Sequence, residues 1–290
     1  MAVVLALVLV QLIYASGVIV GKFILPLVPA PVIVTLRMMV ASLAFFLAHR
    51  AMGGTVPRFG KDWARFALLG LVGGAGNQLL VLLGLTRTTA INTAILIPMI
   101  PIFTVIFGWA LRRDRPSLLK WSGVAIAGLA TIYLIGPGRV SLAPEVALGN
   151  LLVLTGMAFN ALAFLLSKDL LERFPPVTVA FSLTLAGLLG VFPLGIATAS
   201  SVDRAGLTPH LLLWLTYLVV FPTTVTYFLN LWSLRRASPT LVTSFIYLQP
   251  LFTTAVAPLV LQGEQLTLRV AAAGAGIFAG VGLVLLAERR

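Results

Sequence analysis

Groups able to move protons, hold metal or attack a carbonyl are scarce in this chain, and their positions exclude most of the chemistry they could do. There is no Cys, so thiolate catalysis, Cys-held metal and disulfides are all ruled out. His49 and His210, and the four Lys at Lys22, Lys61, Lys120 and Lys168, stand at the ends of long apolar runs. The eight acids, Asp62, Asp114, Glu145, Asp169, Glu172, Asp203, Glu264 and Glu288, do the same. Hydrolysis within a membrane needs Ser with His or Lys, paired Asp, or a His-rich metal site, and none of those spacings occurs. No catalytic residue, cofactor or metal is therefore expected.

The apolar runs do contain neutral hydrogen-bonding groups. Polar side chains inside hydrocarbon are costly, so they turn toward partners or a wet cavity. Gln11, Tyr14, Asn77, Gln78, Asn160, Tyr227, Asn230, Tyr247 and Gln249 are the candidate substrate-binding residues. Their amides and phenols could orient carboxylate, amino or hydroxyl groups while Phe and Met neighbours cover an apolar part. Ser16, Asn92, Thr93, Thr223, Thr224, Thr226, Thr243 and Ser244 are further polar positions. Any one of these can instead bond its own preceding carbonyl or fasten two helices together. Arg37 is the one charge within a run, close enough to its outer end to snorkel, and a carbonyl or structural ion partner suits it better than an anion site. The small multidrug exporters exchange a proton for a cation on a buried Glu; no acid lies mid-run here, which argues against that mechanism.

The elements that position these groups are membrane helices. The 290 residues are 60% hydrophobic and only 10% charged, against about a quarter charged in soluble domains. Ten segments are long enough to cross ~30 Å of hydrocarbon: 2–20, 31–48, 64–85, 90–111, 118–135, 147–166, 177–199, 211–231, 239–261 and 268–287. The net charge of +12 is dispersed as small clusters between them, which is membrane topology and not a nucleic-acid face. With the N-terminus cytoplasmic, 14 of the 20 Lys and Arg fall on the cytoplasmic side and 5 on the other, with Arg37 inside a span. That bias sets both termini in the cytoplasm.

The fourth and ninth segments share a pattern. Leu85 to Pro101 and Leu234 to Pro250 are equally long, Arg87 matches Arg236, and each continues as Pro-x-Phe-Thr, Pro101 to Thr104 and Pro250 to Thr253. Asp114 and Glu264 follow at the ends, and Lys22 and Lys168 close the opening segment of each half. Two five-helix halves, 1–140 and 141–290, therefore repeat, and an odd number of crossings inverts the second. The fold class is all-α membrane protein, ten transmembrane helices as two inverted five-helix repeats around a central cavity. Polar residues concentrate outside the fifth and tenth helices, as a central cavity would require.

On the Pro-x-Phe-Thr segments, their trailing acids and the Leu36–Arg37 pair, nearly the whole chain resembles the drug/metabolite transporter superfamily, in its ten-helix branch of EamA-type halves. Gln11 and Tyr14 depart from the Trp-containing opening motif of many relatives. The resemblance implies an alternating-access carrier of small organic metabolites, amino acids or related compounds, in the plasma (inner) membrane, by export or facilitated diffusion. The expected partners are a small-molecule substrate and the lipid bilayer, with no nucleic acid, and a monomer fits. A lipid-linked sugar flippase or a multidrug exporter of the same superfamily are the alternatives, with a membrane-embedded enzyme behind them.

Overall fold

The computed structural model describes residues 1–53, 61–88, 92–93, 96–113, 115–135, 143–203, 205–252 and 268–288. Expectations on Asp114, Thr253 and Glu264, and on parts of the 90–111 and 239–261 segments, lie outside the described residues. Among the described residues all regular structure is helical, with no strand. Six helices, Ala30–Ala51, Asp62–Leu85, Glu145–Arg173, Pro176–Ser201, Pro209–Leu234 and Leu268–Glu288, are long and apolar enough to cross a membrane. Ala2–Gly17, Met99–Ala110 and Leu118–Leu134 are shorter apolar stretches. Large side chains such as Leu43, Leu129, Leu151, Leu189 and Leu213 point outward. A soluble surface does not sustain such a belt; hydrocarbon does.

Proline starts five of the helices. Pro31, Pro144, Pro176, Pro209 and Pro239 stand in the first turn, where the missing N–H has no intrahelical partner to lose. Ahead of two of them, the Thr208 and Ser238 hydroxyls accept from the Leu211 and Leu241 amides at 3.4 and 3.2 Å. Met99–Ala110 is closed by Arg112 at φ 54, with the Arg113 amide donating to the Gly108 carbonyl at 2.8 Å.

Two of the rods are not uniform. Lys61–Leu69 passes through a π-helical stretch, Gly70–Gly76, into Asn77–Leu85, and Pro209–Val219 passes through Val220–Val225 into Thr226–Leu234. Pro239–Ser244 runs through a 3-10 turn, Phe245–Tyr247, before helix resumes. Such changes of winding rephase every side chain that follows.

The 30–51 helix packs most extensively on 176–198, and 118–135 on 268–288; 61–85 lies on 144–173, and 2–24 on 209–234. Glycine permits the closest approaches. A Cβ on Gly280 would stand 2.6 Å from both the Ala127 nitrogen and the Gly123 carbonyl oxygen, and one on Gly73 only 2.0 Å from the Ala163 Cβ. Lipid already solvates apolar side chains, so such close dispersion contact, and not escape from water, holds membrane helices together.

One end of the bundle carries ion pairs and the other an apolar cluster. At the polar end Arg113 pairs with Asp169, Arg173 donates to Asp62 at 2.5 Å, and the Glu288 carboxylate accepts from the Ser238 amide and hydroxyl, both at 2.7 Å. Lys168 Nζ donates there to the Leu234 and Ala237 carbonyls at 2.7 and 3.0 Å. At the other end Ile24, Val28, Ile33 and Leu218 form one cluster with Leu27, Leu211 and Trp214, and the Asp203 amide donates to the Leu27 carbonyl at 2.9 Å.

Candidate functional site

Between the helices lies a cavity of about 220 Å³. Eight of the nine residues expected to meet a substrate line it: Gln11, Tyr14, Asn77, Gln78, Asn160, Tyr227, Asn230 and Gln249. Helical spacing explains the grouping. Asn77 and Val81, Asn160 and Phe164, and Val242 with Ile246 and Gln249 are three or four residues apart along one face of their helices. Apart from Arg37, the rest of the wall is apolar, including Leu82, Ile97, Ile100 and Met157. A smaller hollow of about 60 Å³ shares Tyr14, Gly73, Asn160, Phe164, Tyr227 and Asn230, and reaches toward the polar end through Ser167, Leu231 and Leu234.

Tyr247 is the one of the nine that does not line it. It is fully buried among core side chains, and its hydroxyl stands 3.4 Å from where a Cβ on Gly128 would lie, against the 118–135 helix. The cavity face of its segment runs through residues 242, 246 and 249, so position 247 projects about 100° away from it.

The cavity amides are incompletely satisfied. The side-chain oxygens of Gln11, Asn77, Gln78 and Asn160 are buried without a hydrogen-bond partner among the described residues. Each such group costs about 1–3 kcal/mol, so folding alone does not favour four of them in one wall. The other polar positions serve the bundle. Asn92 Nδ2 donates to Asn150 Oδ1 at 2.9 Å, Ser16 and Tyr217 hydroxyls meet at 2.6 Å, and Thr243 and Ser244 bond back to the carbonyls of Pro239 and Thr240 at 2.9 and 2.7 Å. His49 Nδ1 lies 3.1 Å from the Thr178 hydroxyl, away from the cavity.

Arg37 also lines the cavity, which its place near a helix start did not reveal. Its Nε donates to Thr223 Oγ1 at 2.5 Å and its Nη2 to the Pro222 carbonyl at 3.0 Å, so it has the carbonyl partner expected of it. Both partners belong to the π-helical stretch 220–225, whose winding no residue pattern announced.

The model of the EamA-like transporter family matches residues 1–136 and 147–286. The chain belongs to this family. Proteins similar to it include the "Uncharacterized transporter YetK" of Bacillus subtilis, 26% identical over 75% of this chain and 67% of its own length. An "Uncharacterized transporter" of Archaeoglobus fulgidus is 24% identical over 78% of each chain. The "Probable terminal-alkyne amino-acid exporter" of Streptantibioticus cattleyicolor is 27% identical over 74% of this chain and 70% of its own. A crystal structure at 20% identity superposes with a TM-score of 0.81 over 100% of this chain and 98% of that one, a likeness of fold. This EamA-like protein is thus an integral membrane transporter of the drug/metabolite superfamily.

Proposed function

We propose that this transporter carries small organic metabolites, amino acids or related compounds, across the plasma membrane by alternating access, as an exporter or facilitator. The observation that carries the reading is the cavity: eight expected polar residues around one hollow inside a bundle whose outer surface is apolar. Its volume of about 220 Å³ lies below the ~300–1,000 Å³ of drug-sized pockets and suits a small metabolite over a multidrug ligand. The amino-acid exporter among its relatives agrees with that class.

The working architecture is ten crossings in two inverted five-helix repeats, 1–140 and 141–290, with both termini cytoplasmic. Supporting it, the family model matches once in each half. Irregular winding also recurs at corresponding places, with π stretches at 70–76 and 220–225. The cross-half contacts come in matching pairs, 61–85 on 144–173 and 209–234 on 2–24. Two near-equivalent packings of that kind give the two access states.

The test is uptake of radiolabelled metabolites into proteoliposomes. A neutral or amphoteric metabolite is expected to accumulate beyond protein-free vesicles, with Asn77→Ala and Tyr227→Ala each slowing uptake without unfolding the protein. Normal transport in both variants removes the cavity from the function, and ion current or hydrolysis in place of uptake rejects the carrier.

A further inference from the structure

We infer that Arg37 is the anion-binding subsite of the cavity and that the transported class carries a carboxylate beside a hydrogen-bond donor. This rests on the transporter reading and narrows it.

The charge balance leads there. Arg37 lies in the cavity wall, and among the described residues no carboxylate is within ion-pair distance of it; both of its partners, Thr223 Oγ1 and the Pro222 carbonyl, are neutral. A cation held at membrane depth costs several kcal/mol and is retained where a charge or a function compensates it. Two oxygens compensate it only partly. They do fix it: with Nε and Nη2 each anchored, the guanidinium plane is set by a segment of the facing rod and does not sweep the cavity. A guanidinium has five N–H groups and these bonds use two, which leaves enough donors for the paired contact that a carboxylate makes. Preorganised donors of this kind lose little freedom when an anion arrives.

The rest of the wall complements the other end of such a solute. Asn77, Gln78 and Asn160 line the same hollow with side-chain oxygens that lack partners, and each is an acceptor for an ammonium or hydroxyl. Phe164, Met157 and Ile100 supply an apolar patch for a side chain. Among the described residues no carboxylate lines the cavity to receive a solute whose only charge is positive, and Arg37 repels it. The matching class is a small zwitterion or hydroxy acid.

Leucine, threonine and phenylalanine, each paired with its carboxamide, separate this role from simple fastening of two helices. Radiolabelled, they are offered at equal concentration to proteoliposomes holding the full chain. The acids are expected to enter at least ~10-fold faster than their carboxamides through the unsubstituted protein, since only the carboxylate accepts a charge-assisted pair. Arg37→Gln should bring the two rates within about twofold of each other, and Arg37→Lys should keep the preference at a lower rate because a point charge replaces the fork. Equal rates for acid and amide in the unsubstituted protein overturn the inference while leaving the carrier intact. Equal slowing of every solute by Arg37→Gln, with the ratio unchanged, does so too, because a fastener has no means of sensing the carboxylate. Entry no faster than into protein-free vesicles for the whole panel rejects the inference together with the carrier reading. Thermal unfolding in detergent checks that Arg37→Gln folds; if it does not, the acid-to-amide ratio of the unsubstituted protein decides alone.

Discussion

The contact between 118–135 and 268–288 and the wall of the cavity are built on opposite terms. In the first, Gly123 and Gly280 bring backbone against backbone, with no space for a single added carbon. In the second, amides and a guanidinium surround a hollow with part of their hydrogen bonding unmet. One region puts close packing first, and the other gives up packing and stability in favour of a surface able to bind. The 118–135/268–288 contact lies away from the cavity lining, which makes the two separable by substitution.

The largest effect should come from the packed pair. Gly280→Val forces a side chain into the Ala127 backbone and should destabilise the protein by about 2–3 kcal/mol. A lower melting temperature in detergent would register it, with transport per folded molecule preserved; at Gly282, where a Cβ meets nothing within 4 Å, Ala should be neutral. Next, Asn77→Ala in the cavity should reverse the pattern, slowing uptake ~10-fold, worth about 1.4 kcal/mol, while the melting temperature holds or rises because an orphaned oxygen disappears. A fall in stability with unchanged uptake would erase the contrast. Tyr247→Phe sharpens it, since the lost hydroxyl is buried, off the cavity and without a partner among the described residues: about 1 kcal/mol of added stability is expected with uptake rates unaltered. Smallest is Arg112→Gly, at the left-handed turn after Met99–Ala110, where relief of backbone strain should add ~0.5 kcal/mol, measurable as a slight rise in melting temperature.

Much of this division was legible in the chain itself. Apolar runs and first-turn prolines gave the helices because hydrocarbon admits no other open backbone, and 118–135 begins and ends where hydropathy does. The 147–166 segment ends seven residues early, since Lys168, Asp169, Glu172 and Arg173 leave the lipid yet suit a helix, which continues to Arg173. The polar residues pointed to a cavity because so many amides and phenols in apolar helices exceed what fastening the helices requires. Tyr247 stands apart from the cavity for a different reason: its depth can be read from the sequence, but its face depends on the phase of a helix interrupted by the 245–247 turn. Arg37 was missed as cavity lining because a snorkelling arginine and an inward one occupy the same position in a sequence, and only the facing Pro222 and Thr223 tell them apart.

Gly73 joins close packing and cavity wall at one position. It borders the two hollows, and its missing methyl is what lets Ala163 come so near. The span of the chamber is therefore gauged by a hydrogen atom. Lengthening that one side chain would drive apart the two helices that carry Asn77 and Asn160, so in the carrier we propose the size of solute accepted would be governed at a position with no side chain of its own.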